Sequence, residues 1–224
     1  MIERSGSRVS LLLAMACLTT VLCGCGAAGQ DLSTSTSNQV VSVTAISVST
    51  DDEKQNNLKA TALRELIREL SLPNDLRAVA LIFVLPDCPI ANSYAAEYSR
   101  LNTEFSSRGI PLVVVYVDPE LSTAQMHEHA RQYLLNCPVL LDPRQVWVDR
   151  AGATKTPEAA VFGLDGKLLY RGRIDDRYVG VGKSRTAATS HDLRNAFESI
   201  LAGQPVAQRI TEAIGCHIPD RHEG

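Results

Sequence analysis

Two continuous apolar runs in the middle of the chain indicate buried β-strands. Residues 78–85 read AVALIFVL and residues 110–117 read IPLVVVYV, without alternation of apolar and polar positions. Strands that are covered on both faces have this pattern, which is typical of a parallel sheet between helices. A third strand is predicted over the short apolar segment at 139–141.

Apolar residues at helical spacing predict one helix before the first strand and others between the strands. The first helix carries its apolar face on Leu58, Leu63, Leu66, Ile67 and Leu70, and Pro73 ends it. Further helical segments are predicted at 91–105, 122–135, 146–151 and 192–201.

A β-hairpin is predicted between the last two of these helices. Thr156-Pro157 opens the hairpin, its strands are 159–164 and 167–174, and Asp165-Gly166 makes the tight turn. The order of strand, helix, strand, helix, hairpin and helix predicts an α/β fold. We assign this domain to residues 56–203, followed by a C-terminal tail at 204–224.

The N-terminus has the pattern of an export signal. Arg4 and Arg8 precede an apolar run at 9–22, which is shorter than the roughly 20 residues needed to span a bilayer. The run ends in Leu-Cys-Gly-Cys, which resembles a bacterial lipobox with Cys25 as the lipidated residue. These features predict a lipoprotein signal peptide at 1–24 and a Ser/Thr-rich tether at 25–55; plain secretion with incidental cysteines is the alternative.

Composition is that of an ordinary globular protein, with 45% hydrophobic residues, 21% charged residues and a net charge of -3. This balance gives no reason to expect a nucleic-acid partner. The expected location is the outer side of a bacterial membrane, in the cell envelope, with the lipid anchor as the membrane contact.

Three cysteines remain if the signal peptide is removed and Cys25 is acylated: Cys88, Cys137 and Cys216. Cys88 lies where a predicted strand turns into a helix, and backbone N–H groups at a helix start favour thiolate over thiol. Asp87 acts in the opposite direction through its negative charge. A buried, inert Cys88 is the alternative, because free cysteine is among the most buried residue types.

The segments Asp87–Asn92 (DCPIAN), Thr156–Ala159 (TPEA) and Tyr170–Tyr178 (YRGRIDDRY) resemble the redoxin branch of the thioredoxin-like superfamily, near the alkyl hydroperoxide reductase and thiol-specific antioxidant family. The resemblance implies a thioredoxin-like fold with a central mixed β-sheet flanked by helices. It also implies that Thr156 and Pro157 form the loop whose cis proline lies against the reactive sulfur and binds substrate.

At three positions the sequence departs from the patterns of thioredoxins, peroxiredoxins and copper chaperones, which limits the activities that the resemblance implies. Ala91 stands where thioredoxins have the second cysteine of Cys-x-x-Cys, Leu85 replaces the threonine of typical peroxiredoxins, and Asn92 replaces the second cysteine of copper chaperones. Since Cys88 then lacks a local partner, we predict Cys216 as the resolving thiol, in a tail where Gly215 gives the chain freedom. Cys137, at the start of a buried strand, is expected in the core.

Further predictions concern two arginines on a strand and two histidines on a helix. Arg171 and Arg173 share one strand face, and Arg173 is predicted to stabilise the thiolate or bind an acidic substrate, with a plain surface face as the alternative. His127 and His129, two apart on a helix, cannot face one ligand and are expected to face solvent.

Two functions fit the chemistry of this sequence, and a catalytically silent redoxin that only docks to an envelope complex is a third alternative, because a fold does not fix a function. The first is an extracytoplasmic thiol oxidoreductase that reduces a disulfide or a peroxide through Cys88, acts on an envelope thiol or disulfide protein or a small oxidant, and needs no cofactor or metal. The second is a binding protein without turnover that holds copper or a partner through Cys88, Cys216 and His217.

Overall fold

The computed structural model describes residues 50–221, without the side chains of residues 50–53. The predicted signal peptide, the lipidation site Cys25 and the tether up to residue 49 lie outside the described residues, as does His222. Among the described residues, no helix is both long and apolar enough to cross a membrane.

The helices are α1 (Thr50–Glu69), α2 (Pro89–Ser93), α3 (Ala95–Phe105), α4 (Thr123–Gln132), α5 (Val146–Ala151) and α6 (Asp192–Leu201). The strands are β1 (Ala78–Val84), β2 (Leu112–Tyr116), β3 (Val139–Leu141), β4 (Lys155–Thr156), β5 (Glu158–Gly163), β6 (Leu168–Gly172), β7 (Tyr178–Gly180), β8 (Lys183–Ser184) and β9 (Cys216–His217).

A five-stranded sheet in the order β3-β2-β1-β5-β6 forms the centre of the domain. Its first three strands are parallel, whereas β5 is antiparallel to β1 and to β6. Every residue of β1 and β2 is buried, as their continuous apolar runs predict. The predicted α/β fold, with a mixed sheet flanked by helices, is confirmed.

Helix boundaries differ from the prediction where special backbone conformations intervene. The helix predicted at 91–105 begins at Pro89, which suits a first helical position, and is divided into α2 and α3 at Tyr94. The first helix begins at Thr50, so residues 50–55, which we assigned to the tether, are helical. It ends before Ser71, whose φ of 50° is left-handed, rather than at Pro73.

The segment predicted as a C-terminal tail is part of the domain. The backbone of residues 209–211 exchanges hydrogen bonds with Arg171 of β6. Further on, β9 pairs antiparallel with β4, and the side chain of Gln145 donates to the carbonyl of Pro219 at 2.7 Å. The prediction that this tail moves freely was wrong, because its backbone groups are hydrogen-bonded to the domain.

Candidate active site

Cys88 stands between the central strand β1 and the helix α2. Its N–H closes a turn onto the carbonyl of Leu85 at 3.1 Å, and its side chain caps α2 by accepting from the N–H of Ala91 at 3.5 Å. The side chain is only 1% exposed. The end of β1 and the start of α2 therefore hold the sulfur of Cys88 in one position beneath the surface.

The Thr156–Pro157 peptide lies directly against this sulfur. It is cis and joins β4 to β5. In its protonated form the thiol of Cys88 donates to the carbonyl oxygen of Thr156 at 3.0 Å. The hydroxyl of Thr156 is buried too and has no partner of ordinary hydrogen-bond geometry within the described part of the chain.

Cys216 reaches the same point from the C-terminal end of the chain. In the β4–β9 pair, Cys216 lies opposite Thr156, and the N–H of Ile218 continues the contact to the carbonyl of Thr154 at 3.2 Å. Cys216 thus lies beside the residue whose carbonyl accepts from the Cys88 thiol, and both thiols are free. Two cysteines that are far apart in sequence are brought together at the Thr156–Pro157 loop.

The two thiols differ in acidity because of their surroundings. Burial raises the pKa of Cys88, but hydrogen bonds from Cys216, Thr156 and the Ala91 N–H outweigh it and leave that pKa below its ordinary value. Burial raises the pKa of Cys216, and a negative charge on Cys88 raises it further. The arrangement favours a thiolate at Cys88 and a thiol at Cys216.

Comparison with known proteins agrees with this geometry. Residues 52–171 match the AhpC/TSA family, and the match covers more than half of the chain. The chain belongs to the AhpC/TSA family. A comparison with curated protein sequences gives no significant match.

Solved structures share the fold. An uncharacterized conserved protein from Geobacillus kaustophilus is 26% identical, with a TM-score of 0.59 and coverage of 66% of this chain and 79% of that chain. A hypothetical protein from Sinorhizobium meliloti is 24% identical, with a TM-score of 0.59 and coverage of 70% and 85%. A secreted disulfide oxidoreductase from Mycobacterium tuberculosis gives a weaker likeness, with 21% identity, a TM-score of 0.39 and coverage of 57% and 81%. The family match, together with the five-stranded mixed sheet flanked by helices, confirms the predicted thioredoxin-like fold.

Arg173 occupies a different place from the one we expected in this AhpC/TSA protein. Its guanidinium binds the carboxylate of Asp192 at the start of α6, with 2.8 Å between Nε and Oδ2. The neighbouring Arg171 bonds to the Gly152 carbonyl and pairs with Glu158. Both arginines hold elements of the domain together through these contacts.

Cys137 lies in the core, where the sequence places it. Burial raises its pKa to about 12, so that it stays protonated at neutral pH. Its thiol donates to the side-chain oxygen of Asn136 at 3.8 Å, a contact that also favours the protonated form.

His129 is a residue that sequence reasoning misplaced. It is half-buried, and its Nε2 donates to the Asn92 side chain at 3.1 Å while Nδ1 accepts from the Tyr116 hydroxyl at 2.9 Å. The amide of Asn92 in turn donates to the carbonyl of Pro86, two residues before Cys88. In the sequence, Asn92 could have been associated with the site because it directly follows the DCPIA segment. His129 could not, because only the fold brings it next to Asn92.

The run Asp175-Asp176-Arg177 is explained by the structure. Asp175 accepts from the hydroxyl of Tyr94 and from the N–H of Arg177, whose guanidinium lies 4.0 Å from the centre of the Tyr94 ring. Asp176 accepts from Thr189 and the N–H of Ser190. The run therefore holds the loop that follows β6 against the α2–α3 junction.

The copper-binding alternative lacks its donor set in the described residues. They contain no group of three or more His, Cys, Asp or Glu side chains arranged for a metal ion. His217 follows Cys216 along a strand, where neighbouring side chains point to opposite faces, and its ring bonds to Lys155 at 2.7 Å. The two sulfurs and this imidazole are not brought together.

Proposed function

We propose that this AhpC/TSA protein is an extracytoplasmic thiol–disulfide oxidoreductase in which Cys88 is the nucleophile and Cys216 the resolving thiol. The observation that carries the proposal is the position of both cysteines at Thr156: Cys88 donates to its carbonyl, and Cys216 is paired opposite it in the β4–β9 ladder. The lowered pKa of Cys88 supports it. A thiolate is the attacking species in disulfide exchange, and a second thiol nearby completes the reaction.

In the first step the Cys88 thiolate attacks one sulfur of a substrate disulfide. A mixed disulfide forms between Cys88 and that sulfur, and the other substrate sulfur leaves as a thiolate and takes a proton from water. The backbone of Thr156, next to both sulfurs, is the surface on which we expect the substrate to lie.

In the second step Cys216 releases its proton to solvent, and its sulfur attacks that of Cys88. The Cys88–Cys216 disulfide forms, the second substrate thiolate is released, and two electrons have passed from the protein to the substrate. The mixed disulfide also removes the negative charge on Cys88 that raises the pKa of Cys216, so the first step activates the second. An envelope dithiol of the same chemistry returns the protein to its reduced form.

A disulfide fits the site better than a peroxide. A peroxide is polarised most strongly by a cation beside the attacking sulfur, but Arg173 is bound to Asp192, and the side chain at position 85 is the apolar Leu85. Exchange between disulfides needs only the two sulfurs and an acidic thiol, and the site has these.

The location rests on the N-terminal sequence. The apolar run that ends in Leu-Cys-Gly-Cys supports export and acylation at Cys25. Replacing Cys25 by Ser is expected to release the protein from the membrane fraction, and unchanged membrane association would refute the anchor.

Mass-spectrometric peptide mapping tests the chemistry. One equivalent of a small disulfide, such as oxidised glutathione, is expected to give a Cys88–Cys216 bridge in the wild type and a stable mixed disulfide on Cys88 in Cys216→Ser. Cys137→Ser is the matched control and should behave as wild type, because Cys137 is protonated and buried. A bridge from Cys88 to Cys137, or faster oxidation by hydrogen peroxide than by the disulfide, would contradict the proposal.

A further inference from the structure

A second concave site lies on the side of the domain where α1 meets α5 and the β5–β6 turn. It is a cavity of about 270 Å³. Its apolar surface comes from Leu63, Trp147, Phe162 and Leu168, of which Leu63 and Phe162 belong to the core. The turn is pressed tightly onto α1, since a Cβ at Gly166 would lie 2.6 Å from the backbone of Lys59. The walls are therefore fixed by close backbone packing.

Four cations surround this apolar surface: Lys59, Arg150, Lys167 and Arg209. No acidic side chain is among the described residues that line the cavity, although Lys167 pairs with Asp165 beside it at 3.0 Å. Two of the cations are oriented by other contacts. Arg209 donates to the Leu168 carbonyl at 2.6 Å, and the Arg150 guanidinium lies 5.2 Å from the centre of the Trp147 ring. In a chain of net charge -3, this is a local concentration of positive charge.

The cavity is separate from the cysteine site. Phe162 is paired with Val79 at the start of β1, whereas Glu158, beside the cis proline, is paired with Phe83 at the end of that strand. The two sites thus lie at opposite ends of β1 and β5, about 13 Å apart along the strands at roughly 3.3 Å per residue. A ligand in the cavity does not touch Cys88, so the site is independent of the redox proposal.

We propose that this cavity binds a small amphiphilic anion, in which a phosphate or carboxylate head is carried on a short apolar body. The ring of cations neutralises the head by charge-assisted hydrogen bonds, and Trp147, Phe162 and Leu168 cover the apolar part. The volume is near the lower bound of roughly 300 Å³ for small-molecule sites, which suits a ligand of about ten heavy atoms. A bare anion would leave the apolar surface uncovered, and an uncharged apolar molecule would leave the cations unused.

Trp147 makes the binding directly observable, because it is the single tryptophan of the chain. Titration with hexyl phosphate is expected to change its fluorescence with saturation, and to do so at concentrations about tenfold lower than inorganic phosphate or hexanol alone. The affinity for hexyl phosphate should fall as salt is raised. A response to hexanol equal to that of hexyl phosphate would show an apolar pocket only. A response to phosphate equal to that of hexyl phosphate would show an unspecific anion site. Either result overturns the proposal.

Two substitutions separate the site from the general charge of the surface. Lys59→Gln and Arg209→Gln are each expected to weaken hexyl phosphate binding about tenfold, which corresponds to one charge-assisted contact. Arg64→Gln removes an exposed cation from α1 that does not line the cavity, and it should leave the affinity unchanged. Circular dichroism and the alkylation rate of Cys88 check that the variants are folded. Equal weakening by Arg64→Gln, or no weakening by either cavity variant, would refute the assignment.

Discussion

The Thr156 hydroxyl is placed to respond to the charge state of Cys88. It is buried and has no partner of ordinary geometry within the described residues, although it lies close enough to the sulfur to lower the pKa of Cys88. A thiol donates to the Thr156 carbonyl, whereas a thiolate accepts from hydroxyl and N–H donors around it. Ionisation therefore supplies the partner that the hydroxyl otherwise lacks.

Thr156→Val removes this donor while keeping the volume of the side chain. The pKa of Cys88 is expected to rise, and its alkylation by iodoacetamide at pH 7 to slow by roughly tenfold, since a hydrogen bond to a charged group is worth about 1.5–3 kcal/mol. The pH profile of the alkylation rate measures both quantities. Thr156→Ser is the control and should remain close to wild type; an unchanged profile in Thr156→Val would assign the low pKa to the other donors.

Individual residues of the site were predictable where local sequence carries the chemistry. The strand-to-helix turn indicated Cys88, and the family resemblance indicated Thr156-Pro157. The partner of Arg173 was not predictable, because an ion pair to a residue of α6 depends on how that helix packs. The same holds for His129, whose hydrogen bonds join residues from three different elements.

Among the elements, β9 has the largest effect on the site although it comprises only Cys216 and His217. It pairs with β4, in which the carbonyl of Thr156 accepts from the buried thiol of Cys88. Its close approach depends on Gly215, where a Cβ would lie 2.0 Å from the carbonyl oxygen of Thr156. Backbone, rather than a flexible side chain, blocks that position.

Gly215→Ala is expected to lift β9 from β4. Alkylation of Cys88 by a bulky maleimide should then accelerate by on the order of tenfold or more, because local opening no longer limits access. Gly180→Ala in the β7–β8 hairpin is the control, since a Cβ there meets nothing closer than 4.0 Å. Equal maleimide rates in the two variants would mean that β9 does not limit access to the sulfur.

Helix α4 is connected to the turn before Cys88 through His129 and Asn92. Burial lowers the pKa of His129 below its ordinary value, so the folded protein holds this ring neutral over a range in which the unfolded chain protonates it. The unfolded state binds more protons there, and stability rises with pH. This contribution of His129 to stability is fully present above a pH of about 6.5, the pKa of histidine in an unfolded chain, and it is lost as the pH falls below that value.

His129→Gln is accordingly expected to show a smaller loss of unfolding free energy between pH 7.5 and pH 5.5 than the wild type. Urea unfolding at the two pH values measures it. His127→Gln is the matched control, because His127 is exposed on the same helix. If both variants kept the wild-type pH dependence, the buried ring would not be its source.

At the scale of the whole molecule, the order of the main elements followed from sequence because β1 and β2 are apolar throughout and the longer helices carry apolar residues at helical spacing. The antiparallel pairing of β4 with β9 did not, since two-residue strands carry no periodicity. The break at Tyr94 was hidden for a related reason: Tyr94 fits the helical spacing of Tyr98 and Leu101, and its contacts with Asp175 and Arg177 come from a distant loop.

Oxidation should stabilise the whole domain. A Cys88–Cys216 bridge closes a loop of the order of 100 residues, and the chain-entropy account gives about 5 kcal/mol for such a loop. The oxidised wild type is therefore expected to unfold at a higher urea concentration than the reduced form. Cys216→Ser should show no such difference; a lower midpoint for the oxidised wild type would mean that the bridge strains the fold.

The position of Cys216 near Cys88 is also expected to affect how the protein withstands irreversible damage. A sulfenic acid formed at Cys88 by a stray oxidant can either condense with a thiol or be oxidised further to sulfinic acid, which is a dead end for most proteins. Cys216 is already beside that sulfur, whereas a second oxidant molecule must reach a side chain that is 1% exposed. We expect the reversible branch to win this competition, so the arrangement that we propose for exchange also preserves Cys88 as a nucleophile.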